Sequence, residues 1–224
     1  MIDVLLHDGR HPLAKITTES VLGKEAIEDE GLASNSIFPM LHKHFLTIYN
    51  QSDVLKTAFR RIEPFGGRKK GRPSQLYLEK IVENAFEVFS TEIKAKNITV
   101  ELPNTLTLVR IDESEFQEVM INLIQNSIYW LEFVPKQDRK IAVNVERTAP
   151  DCVIVTFADT GPGIPKENRA TIFEPYFSTK PDGIGLGLSI AGEIITDYYD
   201  GKLELMDNEK LKGAAFKITL RKRV

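Results

Sequence analysis

The stretch 112-DESEFQEVMINLIQNSIYWLEF-133 opens on acidic residues and has the periodicity of a long amphipathic helix. It carries two asparagines, Asn122 and Asn126, four positions apart and therefore on one helical face. Asparagine is a weak helix former, and burying an unpaired amide costs about 1–3 kcal/mol. Two carboxamides at this spacing in an otherwise apolar run raise the question of what they bind.

Around this helix, from Ser74 onward, helical and strand patterns alternate. "LYLEKIVENAFEVFSTEIKAKN" has helical period and "ITVEL" strand period, while "KIAVNVER" and "CVIVTFAD" alternate β-branched residues. "GLSIAGEIITDYYDG" reads as a helix ended by Gly201, and "KLELMD" and "AAFKITL" as closing strands. The pattern predicts an α/β sandwich with helices on one face of a mixed or antiparallel sheet. Strand "CVIVTFAD" ends in "DTGPGIP", Asp159 to Pro165, a carboxylate followed by a rigid, side-chain-poor turn that a flat ligand can approach closely. About twenty residues later "DGIGLGLSIAGEI" places glycines at the opening of a helix, where free N–H groups and the positive helix end suit phosphate oxygens.

The first 65 residues have a different texture. Apolar and small residues recur at alternating spacings of four and three from Ile2 to Ile27, and again from Phe38 to Ile62. "EGLASNS" between the two runs supplies a glycine stop and a Ser or Asn cap, so an antiparallel helical hairpin is expected. One hairpin cannot cover both seams, which argues for a dimeric four-helix bundle. "GGRKKGRPS", residues 66–74, breaks the pattern and reads as a solvated linker. The expected organisation is a hairpin over 1–65, a linker over 66–73 and a second domain over 74–224.

Composition narrows the function classes. The 224 residues are 42% hydrophobic and 27% charged, with a formal net charge of −3, which gives no general reason to expect nucleic acid as a partner. The single cysteine, Cys152, cannot form an internal disulfide and falls in an apolar strand, so a reducing, cytoplasmic location and a buried structural thiol are expected. No apolar run approaches the roughly 18 residues of a spanning helix, and "MIDVLLHDGR" is too short and too charged for a signal peptide. No membrane contact is expected from this chain. All four histidines lie in the hairpin. At about 1.5 Å per residue His42 is roughly 25 Å along the bundle from His7, so one metal site cannot use both histidine pairs.

"NLIQNS", "DTGPGI", "IFEPYFSTK" and "GIGLGLSIA", in this order and spacing, resemble the N, G1, F and G2 boxes of the ATP-binding domain of sensor histidine kinases. The wider superfamily, of the GHKL or Bergerat ATPase type, includes gyrase, Hsp90 and MutL. Upstream, "HDGRHPL" resembles the phosphoacceptor box of those kinases, and the likeness covers nearly the whole chain. The resemblance implies ATP and Mg²⁺ as cofactors, a homodimer, and a response regulator receiver domain as partner. It implies Asn126 as a Mg²⁺ ligand beside the ATP phosphates, with Asn122 adding a polar contact one turn earlier. Asp159 becomes the acceptor for the adenine amino group, Gly161 and Gly163 let the base approach the backbone, and Trp130 is an aromatic wall for the purine. Gly185, Leu186, Gly187 and Leu188 fall on the phosphate side, and Thr179 and Lys180 on a lid spanning 166–185, with Lys180 reaching the γ-phosphate.

The resemblance also separates mechanisms. In the hydrolytic relatives a glutamate stands at the position of Asn122, and an amide cannot take a proton from water at neutral pH. ATP is then expected to await another nucleophile: His7 as a neutral imidazole, with Asp8 orienting it and taking up its proton. Arg10 is expected either to form a surface ion pair or to steady the transferred phosphate. Tyr129 stands where a basic residue commonly follows the second asparagine, Ala214 where a threonine is usual, and Gly9 and His11 also depart from the pattern. Three functions are expected candidates: a dimeric histidine autokinase, an ATPase whose nucleotide gates dimer closure, and a nucleotide-binding scaffold without catalysis.

Overall fold

A computed structural model describes residues 72–221, apart from 182, 184 and 208–210, together with the isolated positions Ile16, His44, Thr47 and Ile48. The chain divides into two compact units, Met1–Lys70 and Gly71–Val224. In the first unit the four described positions are helical and half-buried. The hairpin and dimer expected from the sequence, with His7, Asp8 and Arg10, fall outside the described residues.

The second unit is a five-stranded sheet carrying helices on one face. Its strands are β2 (Thr99–Glu101), β4 (Lys140–Ala149), β5 (Cys152–Asp159), β7 (Ala215–Leu220) and β6 (Lys202–Leu205), in that spatial order. The β2–β4 pairing is parallel and the rest are antiparallel, so the sheet is mixed. A separate ribbon pairs β1 (Ser74–Tyr77) with β3 (Leu108–Ile111). The helices are α1 (Leu78–Val88), α2 (Ser90–Ala95), α3 (Glu113–Leu131) and α4 (Gly187–Tyr199). Alternation along β5 turns Val153, Val155 and Phe157 towards the helices, where Phe157 stacks on Phe86 of α1 with ring centroids 6.4 Å apart. Cys152 lies on the other face and is half-buried, more open than the apolar run around it suggests.

Helix α3 is the long helix of the 112–133 stretch and lies between α1 and α4. Asp112 caps its start by accepting from the Glu115 N–H at 3.1 Å, and Phe116, Met120, Leu123, Ile124 and Leu131 give it a fully buried face. Arg139 fixes its far end by donating to the carbonyls of Val134 at 2.8 Å and Glu132 at 3.1 Å, and reaches Lys96 O at 2.9 Å. Among the described residues no helix is long and apolar enough to cross a membrane.

Two elements differ from the sequence pattern. The helix expected to begin near Leu76 begins at Leu78, because Ser74–Tyr77 is drawn into pairing with β3. It also breaks at Phe89, giving α1 and α2 in place of one helix. Glu79 in the first turn of α1 is buried and accepts from Thr107 N at 2.7 Å and Thr105 Oγ1 at 3.1 Å, which ties the 105–107 loop to the helix start.

Tyr199, fully buried at the end of α4, donates to Glu115 Oε2 at 2.7 Å and accepts from Asp112 N at 3.3 Å. Burial, reinforced by the adjacent Glu115 carboxylate, pushes its phenol well above the usual range. Tyr199→Phe is expected to cost about 1.5–3 kcal/mol of unfolding free energy, the worth of a hydrogen bond to a charged acceptor. Denaturant titration measures it, and nucleotide affinity is expected to stay unchanged.

Candidate nucleotide site

Asp159 ends β5 and is only 3% exposed. Its Oδ1 accepts from Gly161 N at 2.8 Å and Ala214 N at 3.1 Å, and its Oδ2 from Ser127 Oγ at 2.5 Å. Burial raises its pKa, while the hydrogen bonds from Ser127, Gly161 and Ala214 pull the other way. Thr160 holds the adjoining turn by donating to Asp138 O at 2.6 Å and accepting from Lys140 N at 2.8 Å. Gly163 takes a left-handed backbone, with φ of +77°.

Gly213 is the closest approach in this cluster. A Cβ there would lie 2.3 Å from Asp159 O, 2.4 Å from its Oδ1 and 2.5 Å from Gly161 N. Lys212 before it is held at a positive φ of 64°, so the turn into β7 is bent to bring the Ala214 N–H onto the carboxylate.

The face of α3 bearing the asparagines meets the loops in order along its length. Asn122 donates from Nδ2 to Glu118 O at 3.0 Å, and its Oδ1 faces Gly187 so closely that a Cβ there would come within 2.8 Å. Asn126 Oδ1 accepts from Lys180 Nζ at 2.7 Å. The same ammonium sits 4.7 Å from the centre of the Tyr129 ring, a cation–π contact. Burial lowers the Lys180 pKa to about 8. Trp130 lies against Gly161, 3.5 Å from the position of a Cβ there, and forms an aromatic group with Tyr129 and Phe133.

The segment carrying Lys180 is closed at its neck, where Tyr176 N donates to Gly185 O at 2.8 Å. Gly185 has φ of +75° and would place a Cβ 2.4 Å from Phe177 O, so a side chain is excluded by conformation and by space. Ile172 and Phe173 anchor the run leading to it, Phe173 meeting Phe216 edge-on at 6.4 Å. Leu186 is buried and Leu188 half-buried, both packed in the core, and Leu186 O accepts the first bonds of α4. Thr179 is exposed.

The structure therefore brings Asn126, Lys180 and Tyr129 together, Asn122 with Gly187, and Trp130 with the Asp159 turn. Sequence reasoning missed Ser127 and Gly213. Ser127 carried a signal: it shares the buried face of α3 with Leu123, Ile124 and Leu131, where a hydroxyl requires a partner. Gly213 carried none, since its partner is 54 positions away.

Fold and site together define a nucleotide-binding α/β sandwich of the GHKL type. The chain belongs to the histidine kinase-, DNA gyrase B- and HSP90-like ATPase family, which it matches over residues 111–224, half its length. Among curated proteins it is similar to the adaptive-response sensory kinase SasA of Synechocystis sp., 29% identical over 98% of this chain and 58% of SasA. It thus spans little more than half the length of that relative. Among solved structures it is similar to the nucleotide-free catalytic domain of histidine kinase ThkA, 31% identical with a TM-score of 0.59, covering 67% of this chain and 95% of that one. ThkA in complex with the response regulator protein TrrA shares the fold, with a TM-score of 0.64 at 24% identity over 99% of this chain and 61% of that one.

Gly213→Ala is expected to displace the Ala214 N–H from Asp159 and to lower adenine nucleotide affinity by at least about tenfold, with the apo melting temperature also reduced. Calorimetric titration with ADP beside a thermal melt checks both.

Proposed function

We propose that this chain is the transmitter region of a cytoplasmic sensor histidine kinase. It binds ATP with Mg²⁺, phosphorylates itself on His7 and passes the phosphoryl group to an aspartate on a response regulator receiver domain. The observation that carries this reading is the ordered face of α3: amide, amide and aromatic ring set against the phosphate-side glycines, the lid lysine and the Asp159 turn. SasA is an adaptive-response sensory kinase, and ThkA a histidine kinase that forms a complex with the response regulator protein TrrA.

The adenine amino group is assigned to Asp159, with Trp130 as a wall for the ring and the turn at Gly161 and Gly163 beside it. Asn126 fits a metal ion, since its Oδ1 already accepts from the Lys180 ammonium and so faces a cation. Asn122 and Asn126 together would hold the metal side of the triphosphate, which the ion, when bound, would neutralise. Lys180, freed from Asn126, is assigned to the γ-phosphate. Gly185 and Gly187 offer main-chain N–H groups there. Residues 1–65 form the dimerising hairpin, residues 66–73 the linker and residues 74–224 the catalytic domain. The His7 imidazole attacks the γ-phosphorus, the P–O bond to ADP breaks, and Asp8 takes the imidazole proton. Arg10 steadies the phosphate on His7. Asn122 supplies no general base for water, which leaves the phosphoryl group for His7.

Incubation with labelled ATP and Mg²⁺ tests the proposal. An acid-labile phosphoprotein is expected, lost in His7→Gln with ADP binding retained, and lost in Asn126→Ala together with Mg²⁺-dependent ATP binding. Asp8→Asn is expected to slow labelling by about 10²–10⁴-fold. Steady phosphate release without any phosphoprotein would overturn the kinase reading, and labelling that survives in His7→Gln but disappears in His11→Gln would move the acceptor.

A further inference from the structure

The Asp159 carboxylate can turn about its Cβ–Cγ bond unless both oxygens are held. Main-chain N–H groups of Gly161 and Ala214 hold Oδ1, and the Ser127 hydroxyl holds Oδ2 at 2.5 Å. Both partners of this last bond are almost wholly buried, Ser127 at 2% exposure and Asp159 at 3%. A carboxylate accepts and cannot donate, so the Ser127 O–H points at Oδ2 and favours the ionised form. The strand side of the pocket brings an N–H from Ala214 and, being alanine there, no hydroxyl from that residue. The hydroxyl on Asp159 comes instead from the helix that also carries Asn126 and Trp130.

We propose that Ser127 is a positioning residue for the base: its hydroxyl locks the Asp159 carboxylate in the plane that accepts a hydrogen bond from a purine 6-amino group, and so sets the preference for adenine over 6-oxopurine nucleotides. This deepens the nucleotide reading above and rests on it. An ionised, fixed acceptor gains a charge-assisted bond from the amino group of adenine, whereas the 6-carbonyl of hypoxanthine turns a lone pair towards it. With Ser127 removed, Oδ2 loses the hydroxyl that fixes its direction, and the base amino group meets a less sharply oriented acceptor. The 6-oxo nucleotide makes no such bond and has nothing to lose.

The test is calorimetric titration of the full chain with ADP and inosine diphosphate. Ser127→Ala is expected to weaken ADP by about tenfold, the scale of one hydrogen bond to a charged group, and inosine diphosphate by less than about twofold. The ratio of the two affinities therefore collapses. Ser127→Thr, which keeps the hydroxyl, is expected to hold the wild-type ratio within about twofold. If Ser127→Ala does not fold, Ser127→Cys, a weaker donor, takes its place with a partial fall in the ratio expected. A purely structural role would weaken both nucleotides in proportion to any fall in apo melting temperature and leave the ratio alone, which would overturn the proposal. Equal loss of the ratio in the Thr and Ala variants would also overturn it. Wild-type chain that binds the two nucleotides alike would refute the adenine assignment of Asp159 itself, and this inference with it.

Discussion

A buried carboxylate is the constraint around which this domain is arranged. Taking the charge of Asp159 out of water is costly unless donors replace the lost hydration, and the effective penalty for an unpaired buried ion is several kcal/mol. The donors come from distant parts of the chain: Ser127 on α3, Gly161 on the turn after β5 and Ala214 at the start of β7. To bring all of them to one carboxylate, the chain must place a residue without Cβ at 213 and pack the buried face of α3 against β5 in one register. Even so, burial dominates and the pKa is raised. A raised carboxylate pKa means that the folded state holds the proton more tightly than the unfolded state. Its contribution to stability is therefore greatest below the unfolded value near 3.8 and is lost as pH rises through the folded one. A ligand that brings another donor to this carboxylate recovers part of the cost of its burial.

Helix α3 acts as a ruler. Asn122, Asn126 and Trp130 are spaced by four, so they share one face and span about 12 Å at 1.5 Å rise per residue. The contacts along that face follow the same order: the start of α4 at Asn122, Lys180 at Asn126, and the Asp159 turn at Trp130. An elongated ligand with an anionic end and a flat end matches this order. The ruler is kept straight by the Asp112 cap at one end and the Arg139 contacts at the other, neither of which touches the site.

The parts of this fold legible in the sequence were those encoded at short range. Asn122 and Asn126 stood out because period alone puts them on one face, and the strands β4 and β5 because their alternation is local. The ribbon strand Ser74–Tyr77 was hidden, since its partner Leu108–Ile111 lies more than thirty residues away and overrides the helical texture of "LYLEKIV". Gly213 was hidden for the same reason, its partner being Asp159, whereas Ser127 was marked by a hydroxyl on the buried face of α3 with only its partner unreadable. Leu186 and Leu188 were expected on the phosphate side by position in the glycine box, and their side chains pack into the core.

Tyr129 and Lys180 show how a departure from a family pattern can be absorbed elsewhere. A basic residue at 129 would be a fixed charge on a rigid helix. Here the helix offers an aromatic ring, and the cation arrives from the 176–185 segment, resting on the ring and on Asn126. Charge carried by a loop depends on that loop's conformation, whereas charge carried by a helix does not. In the proposed reading the same carboxamide oxygen serves the ammonium in the empty domain and the metal in the loaded one. Two cations cannot occupy one amide oxygen at short range without repulsion, so a metal ion held by Asn126 would favour release of Lys180. In that reading a lysine set free in this way would find in the phosphates the partner it had lost.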